Sequence, residues 1–146
     1  MLRGNSLAKI DEKGRLKLPA AFRSVIEPTY GNEFFVTSLR GLSARIYPMQ
    51  VYAELEDKML AASSVQPLVT KLRTSLNYFG QRAVMDSNGR ILIHPLLRDK
   101  AELNGDVAVL GQQNFLEIWN RGSFEEALKR DPLTDDDLRE LAALGF

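Results

Sequence analysis

Asp11-Glu12-Lys13-Gly14-Arg15 returns in the chain as Asp86-Ser87-Asn88-Gly89-Arg90. A single offset of 75 positions lays Asp11 on Asp86, Gly14 on Gly89, Arg15 on Arg90, Leu16 on Ile91, Leu18 on Ile93 and Arg23 on Arg98. With only two copies, the chain is a duplicated half-domain and not the longer array of a solenoid. Around the first copy apolar and polar residues alternate, Ala8 and Ile10 before the turn and Leu16 and Leu18 after it. That alternation predicts a β-hairpin from Leu7 to Leu18. Asp11 suits the first position of a type I turn, where its carboxylate accepts a backbone N–H two residues on, and Gly14 supplies the positive φ that closes the loop with a bulge. Asn88-Gly89 makes the second copy the stronger turn signal. With Leu16 and Leu18 turned inward, Arg15 and Lys17 point to the opposite face.

Outward from the repeat, Pro19 to Ile26 and Pro95 to Ala101 read as short helices with proline at the first helical position, carrying Arg23 and Arg98. Two β-rich runs follow in each half: Glu33 to Ser38 and Ala44 to Pro48 around Gly41, then Val107 to Gly111 and Phe115 to Trp119. A longer helix is expected from Met49 to Leu60, and another from Ser123, which has capping-box spacing to Glu126. Pro67 to Phe79 carries Leu68, Val69, Leu72, Leu76 and Phe79 at helical spacing and reads as the connector between the halves. Thr134 followed by Asp135, Asp136 and Asp137 starts a last helix with Leu138, Leu141, Ala142 and Leu144 on an apolar face. That face has its own chain or a neighbour as candidate partners.

A chain of 146 residues, 45% hydrophobic and 26% charged, is of the size and composition of one compact domain. With no cysteine there is neither a disulfide framework nor a thiolate metal site, which points to the cytosol. No apolar run approaches the roughly 18 residues that cross a bilayer, and Met1 to Asn5 lacks a signal peptide's apolar stretch, so no membrane association is expected. Formal charge sums to zero, but unevenly: residues 1–23 and 71–100 each carry net +4, and the last thirty residues net −4. Each repeat has its own basic region. His94 is the only histidine, and without a second His or any Cys a transition-metal site is not expected. No nucleophile-elbow or phosphate-loop spacing occurs, so neither an enzyme nor a cofactor is expected.

Repeat, turn and proline-led helix together resemble the MraZ family of bacterial transcription regulators. The likeness is carried by Arg3-Gly4-Asn5, by Ile10-Asp11-x-x-Gly14-Arg15-Leu16-x-Leu18-Pro19 with Phe22-Arg23, by Met85-Asp86-x-x-Gly89-Arg90-Ile91-Leu92-Ile93-x-Pro95-x-Leu97-Arg98, and by Gly111-x-x-x-Phe115-x-Glu117-Ile118-Trp119. It implies an α+β fold with a mainly β core, the double-split, swapped-hairpin β-barrel shared with AbrB-type DNA-binding proteins. The two tandem repeats would then be residues 1–60 and 81–130, with a connecting helix over 61–80 and the C-terminal helix over 131–146. It further implies a cytoplasmic, nucleoid-associated regulator. Such a regulator forms closed rings of the octamer or dodecamer class and binds double-stranded DNA at direct repeats upstream of its own operon, a division and cell-wall gene cluster. Antitoxins of the same fold make a protein-interaction module the competing reading, and a ring scaffold without DNA a third.

For contact with DNA, Arg15 and Arg90 are the first candidates, because a guanidinium just past a tight turn presents a planar fork to phosphate or to guanine O6/N7. The bland reading has each closing its own hairpin on Asp11 or Asp86, and both hold if the aspartate orients the arginine. Lys13, Lys17, Lys9 and Arg82 stand near the turns as phosphate contacts, with Arg3 a weaker one. Asp11, Gly14, Asp86 and Gly89 shape the turns. Arg23 and Arg98 are read either as further cationic contacts or as structural groups. Trp119, Phe34, Phe35 and Phe115, alternating within strands, are expected to fill the barrel rather than stack on bases.

Overall fold

The strands that follow the repeated turns have three residues each, too short to pair fully with the strands before them, so the remaining backbone groups must pair elsewhere. A computed structural model describing residues 1–146 shows where they go. In chain order the elements are β1 (Asn5–Ile10), β2 (Arg15–Lys17), α1 (Ala20–Tyr30), β3 (Glu33–Thr37), β4 (Ala44–Pro48), α2 (Met49–Ala62) and α3 (Pro67–Phe79). The second half continues with β5 (Gln81–Val84), β6 (Arg90–Leu92), α4 (Pro95–Ala101), β7 (Gly105–Gly111), β8 (Leu116–Asn120), α5 (Arg121–Arg130) and α6 (Asp135–Ala143).

All eight strands form one antiparallel sheet in the order β5-β3-β4-β8-β7-β1-β2-β6, which curls into a nearly closed barrel with helices outside it. The architecture is α+β with a mainly β core, the double-split barrel. The expected Leu7 to Leu18 hairpin exists only at its turn end, where Ile10 faces Leu16. Beyond that pair the strands part. β1 runs along β7, with Ala8 opposite Val107, and β2 pairs with β6. β5 likewise pairs with β3 of the other repeat. Each repeat thus lends its first strand to the other's hairpin. The reason lies in the length of β1: six residues expose more N–H and C=O groups than a three-residue β2 can satisfy.

The symmetry axis of the duplication passes between equivalent residues. Leu16 stands directly opposite its counterpart Ile91, and both are fully buried. At the far side Arg45 faces Glu117, the equivalent position on β8. The main core of 21 buried residues draws on both repeats, including Phe22, Ile26, Phe34, Val36, Leu97, Val107 and Ile118. Truncating Leu16 to alanine at this centre would cost about 2–5 kcal/mol. A smaller cluster of Tyr47, Val51, Tyr52, Met59 and Leu76 joins α2 and α3 to the outer side of β3 and β4.

Several local expectations change. Pro19 sits one residue before α1, whereas Pro95 is the first residue of α4. α1 also runs on through Pro28 to Tyr30, four residues past Ile26. α5 is capped by Asn120, whose side chain accepts the Ser123 N–H at 2.9 Å, so Ser123 lies inside the helix and not at its cap. The asparagine carbonyl ends β8 and opens α5 at once. In α3, Leu76 and Phe79 are buried but Leu68 is exposed. Of the four aromatics only Phe34 fills the barrel. Phe35 stacks on Tyr52, Phe115 stacks on Tyr47 and Trp119 leans on Phe124, all outside it beneath the helices. α6 buries none of its residues. No helix is long and apolar enough to cross a membrane.

Candidate nucleic-acid interface

Both repeated turns are built from one aspartate each. Asp11 Oδ1 accepts the backbone N–H groups of Lys13 and Arg15, each at 2.9 Å, and its own carbonyl accepts the Gly14 N–H at 2.9 Å. Asp86 repeats the pattern with Asn88, Arg90 and Gly89 at 2.9, 2.9 and 3.0 Å. Gly14 and Gly89 have φ of +83° and +77°, the left-handed region that glycine enters without steric cost. Both carboxylates are held below the usual aspartate range, chiefly by the backbone N–H of Arg15 or Arg90, then by that arginine's side chain and by a second backbone N–H, with partial desolvation opposing.

From this frame each arginine is aimed by its own aspartate. Arg15 Nε donates to Asp11 Oδ2 and Arg90 Nε to Asp86 Oδ2, both at 2.9 Å. The side chains remain 28% and 30% exposed. Neither terminal pair of guanidinium nitrogens has a partner in the chain. The geometry shows the hairpin-closing pair of each arginine, and that pairing runs along the Nε edge and leaves the Nη groups open.

Cross-strand register then collects the cations. On β2 and β6, Lys17 lies opposite Arg90 and Arg15 opposite Leu92, with Leu16 and Ile91 facing inward between them. Arg15 and Arg90 are diagonal neighbours across the same pair, roughly 7–8 Å apart at the backbone. Two cations directly opposite each other on adjacent strands weaken the pairing. Lys9 joins this surface, sharing a shallow groove with Lys17 and Leu18, although its amine also approaches Asp106 at 3.9 Å. Lys13 is exposed at the tip of the first turn. Two candidates are not brought here. Arg82 stands four positions before Asp86, roughly 13 Å along the strand, and pairs with Glu33 at 3.2 Å. Arg3 flanks the opposite end of β1, against Gly111.

Arg23 and Arg98, read in the sequence as further cationic contacts or structural groups, make a crossing contact. The Arg98 guanidinium from α4 lies on the first turn, so close that a Cβ on Gly14 would overlap it. The Arg23 guanidinium from α1 lies on the second turn, where a Cβ on Gly89 would sit 2.7 Å from Arg23 Nη1. Arg23 Nη2 also donates to the Ser87 carbonyl at 3.3 Å. Backbone bonds cross in the same sense, Leu18 N–H to Gly89 O at 2.8 Å and Ile93 N–H to Gly14 O at 2.9 Å. Each turn is braced by the other repeat. The braces differ: Arg23 is tied to Glu27, whereas Arg98 Nε is buried without a hydrogen bond. Their common signal in the sequence was the shared offset of Arg23 and Arg98; the crossing was not visible there.

Comparison with known proteins decides the kinship. Over 146 residues, the whole of both chains, this sequence is 41% identical to the transcriptional regulator MraZ of Acidobacterium capsulatum. The MraZ family is the family of this chain. The transcriptional regulator MraZ of Koribacter versatilis is 42% identical over 147 residues, again covering both chains in full. That of Syntrophobacter fumaroxidans is 33% identical over 97% of this chain and 93% of its own. A family model described as "MraZ protein, putative antitoxin-like" matches residues 81–143. The family match spans β5 to α6, so it takes in the second turn, with the first supplied by the full-length relatives.

Proposed function

We propose that the protein is a sequence-specific DNA-binding transcriptional regulator that reads DNA with its paired turns and the outer face of β2 and β6, not with a recognition helix. The observation that carries this reading is the opposition of Lys17 and Arg90 beside the diagonal Arg15–Arg90 pair, with the terminal guanidinium nitrogens unpartnered. A like-charged cross-strand pair costs stability in the free chain and is relieved when an anion bridges it. The regulator names of the full-length relatives support the same reading. Arg15 and Arg90 take guanine edges or phosphate, while Lys17, Lys13 and Lys9 hold phosphates. Arg82 and Arg3 are outlying phosphate contacts reached only by DNA that extends past the turns.

One chain offers few contacts. A ring homo-oligomer on direct repeats upstream of its own operon, the division and cell-wall cluster, gains affinity by multivalency without new contact chemistry. Shift assays on that upstream DNA at several salt concentrations test the reading. Arg15→Ala and Arg90→Ala are each expected to weaken binding by about 1–3 kcal/mol if they read bases. Lys17→Ala is expected to reduce the salt slope by roughly 0.9 if it holds one phosphate. Unchanged affinity in an Arg15→Ala, Arg90→Ala double variant of unchanged oligomeric mass removes the site assignment. The antitoxin-like part of the family description favours a second reading, a protein-interaction module; co-purification of a stoichiometric toxin, with no salt-sensitive DNA shift, would select it.

A further inference from the structure

α6 is formed but uncovered. Leu138, Leu141 and Ala142 stand at i, i+3 and i+4 on a helix of nine residues, none of them buried. Leu138 is 51% exposed, Leu144 73% and Phe146 89%. Thr134 and Asp137 cap the helix reciprocally, the Asp137 N–H to Thr134 Oγ1 at 3.1 Å and the Thr134 N–H to Asp137 Oδ2 at 3.0 Å. Helices shorter than about 12–15 residues are marginal in water even when capped, so such a helix persists by packing its apolar side on something.

A fitting surface lies at the other side of α5. Trp119, Phe124 and Leu128, with Leu42 from the loop between β3 and β4, line a groove of about 500 Å³. Leu42 and Leu128 are each more than half exposed. Arg40, Lys100 and Arg130 stand on its wall against Glu102 and Asp131, a net positive lining, and none of the three cations takes part in any ion pair of the chain. α6 carries Asp135, Asp136, Asp137 and Glu140 against Arg139 alone. Apolar face meets apolar groove, and a net acidic helix meets unpaired cations.

We infer that α6 of one copy docks in the groove bounded by Leu42, Trp119, Phe124 and Leu128 of a neighbouring copy. The neighbour is preferred to the same chain because within one chain both surfaces stay open: α6 buries none of its residues, and Leu42 and Leu128 of the groove remain more than half exposed. Proline at 132 ends α5 by keeping Asp131 out of the helical region, at φ −136° and ψ 65°. Because helix and groove are different surfaces, the contact can repeat head-to-tail from copy to copy, which is the geometry a closed ring needs. This inference rests on the ring reading above and names its joint.

The absence of cysteine makes the test clean. Full-length chains carrying Leu144→Cys are mixed with chains carrying Leu42→Cys, without DNA, and treated with a short bismaleimide. A product of two-chain mass is expected in the mixture, exceeding either variant alone at least tenfold, and lost when Leu138→Asp is added to the Leu144→Cys chain. No such product overturns the docking. So does a cross-link of one-chain mass, formed by the double variant at a dilution where chains do not meet. Light scattering on the same samples reads ring mass independently, so a ring that persists without the cross-link removes this joint and leaves the ring reading standing.

Discussion

Gly14 shows how much one missing side chain carries in this protein. Its φ of +83° excludes most L-residues, and the space a Cβ would take is filled by the Arg98 guanidinium. Gly14→Ala is expected to destabilise by about 1–2 kcal/mol from the backbone conformation alone, with more from displacing Arg98. In Arg98→Ala the second part vanishes, so a double-mutant cycle by urea unfolding should show the pair costing less than the sum of the single changes. Additive values would mean that the crossing brace carries no energy. His94 makes a different residue-scale prediction. Burial pushes its imidazole pKa below the ordinary 6.5, with the Arg98 charge acting the same way and the nearby Phe79 backbone opposing, and its Nδ1 is buried without a hydrogen bond. Below pH 6.5 the unfolded chain takes up a proton that the folded chain resists. The contribution is therefore complete above pH 6.5 and is lost as pH falls through the lowered folded value. His94→Gln should flatten the fall in unfolding free energy just below pH 6.5, measured by denaturant titration across that window.

At the scale of elements, strand ends and helix starts are shared. Asn120 closes β8, caps α5 by accepting the Ser123 N–H, and donates Nδ2 to the Glu102 carbonyl at 2.9 Å. It thereby ties α5 to the end of α4, where Glu102 adopts a left-handed φ of +55°. Asn120→Ala is expected to cost about 1 kcal/mol for the cap and to raise amide exchange in the first turn of α5 first, while Ser123→Ala, which keeps the backbone donor, should cost little. Sequence spacing favoured Ser123 with Glu126 because a serine-to-glutamate pattern is a real capping signal. The strand reached one residue further than its apolar alternation indicated, and that shift moved the cap to Asn120. The single-residue hairpin overlap of β1 and β2 has a related origin: alternation identifies which residues face inward but not which strand lies alongside.

For the whole molecule, duplication within one chain allows what a symmetric pair of chains forbids. On the symmetry axis Arg45 faces Glu117 at 3.9 Å; two identical chains would place the same residue on both sides. Arg45 also donates Nη1 to the Tyr47 hydroxyl at 3.0 Å and lies 4.7 Å over the Phe115 ring. Glu117→Arg would set two half-buried cations against each other and is expected to destabilise by about 3–5 kcal/mol. Adding Arg45→Glu should restore much of that loss, read as the midpoint of urea unfolding. Failure to recover would mean that the contacts each residue makes besides the pair, Arg45 with Tyr47 and Phe115 and Glu117 with the Trp119 Nε1–H, outweigh the pairing.

The sequence by itself determined the duplication, the two aspartate-glycine turns, the inward side of β1 and β2 and the acidic start of α6. All of these depend on residues within a few positions of one another, where φ preference, side-chain reach and alternation act directly. The tertiary structure alone decided that β1 leaves β2 for β7, that Lys17 stands opposite Arg90, and that Arg23 and Arg98 each brace the other repeat's turn. Those contacts join residues about 65 to 100 positions apart, and their register is set by closing the eight-stranded sheet around a shared core, which no local pattern records.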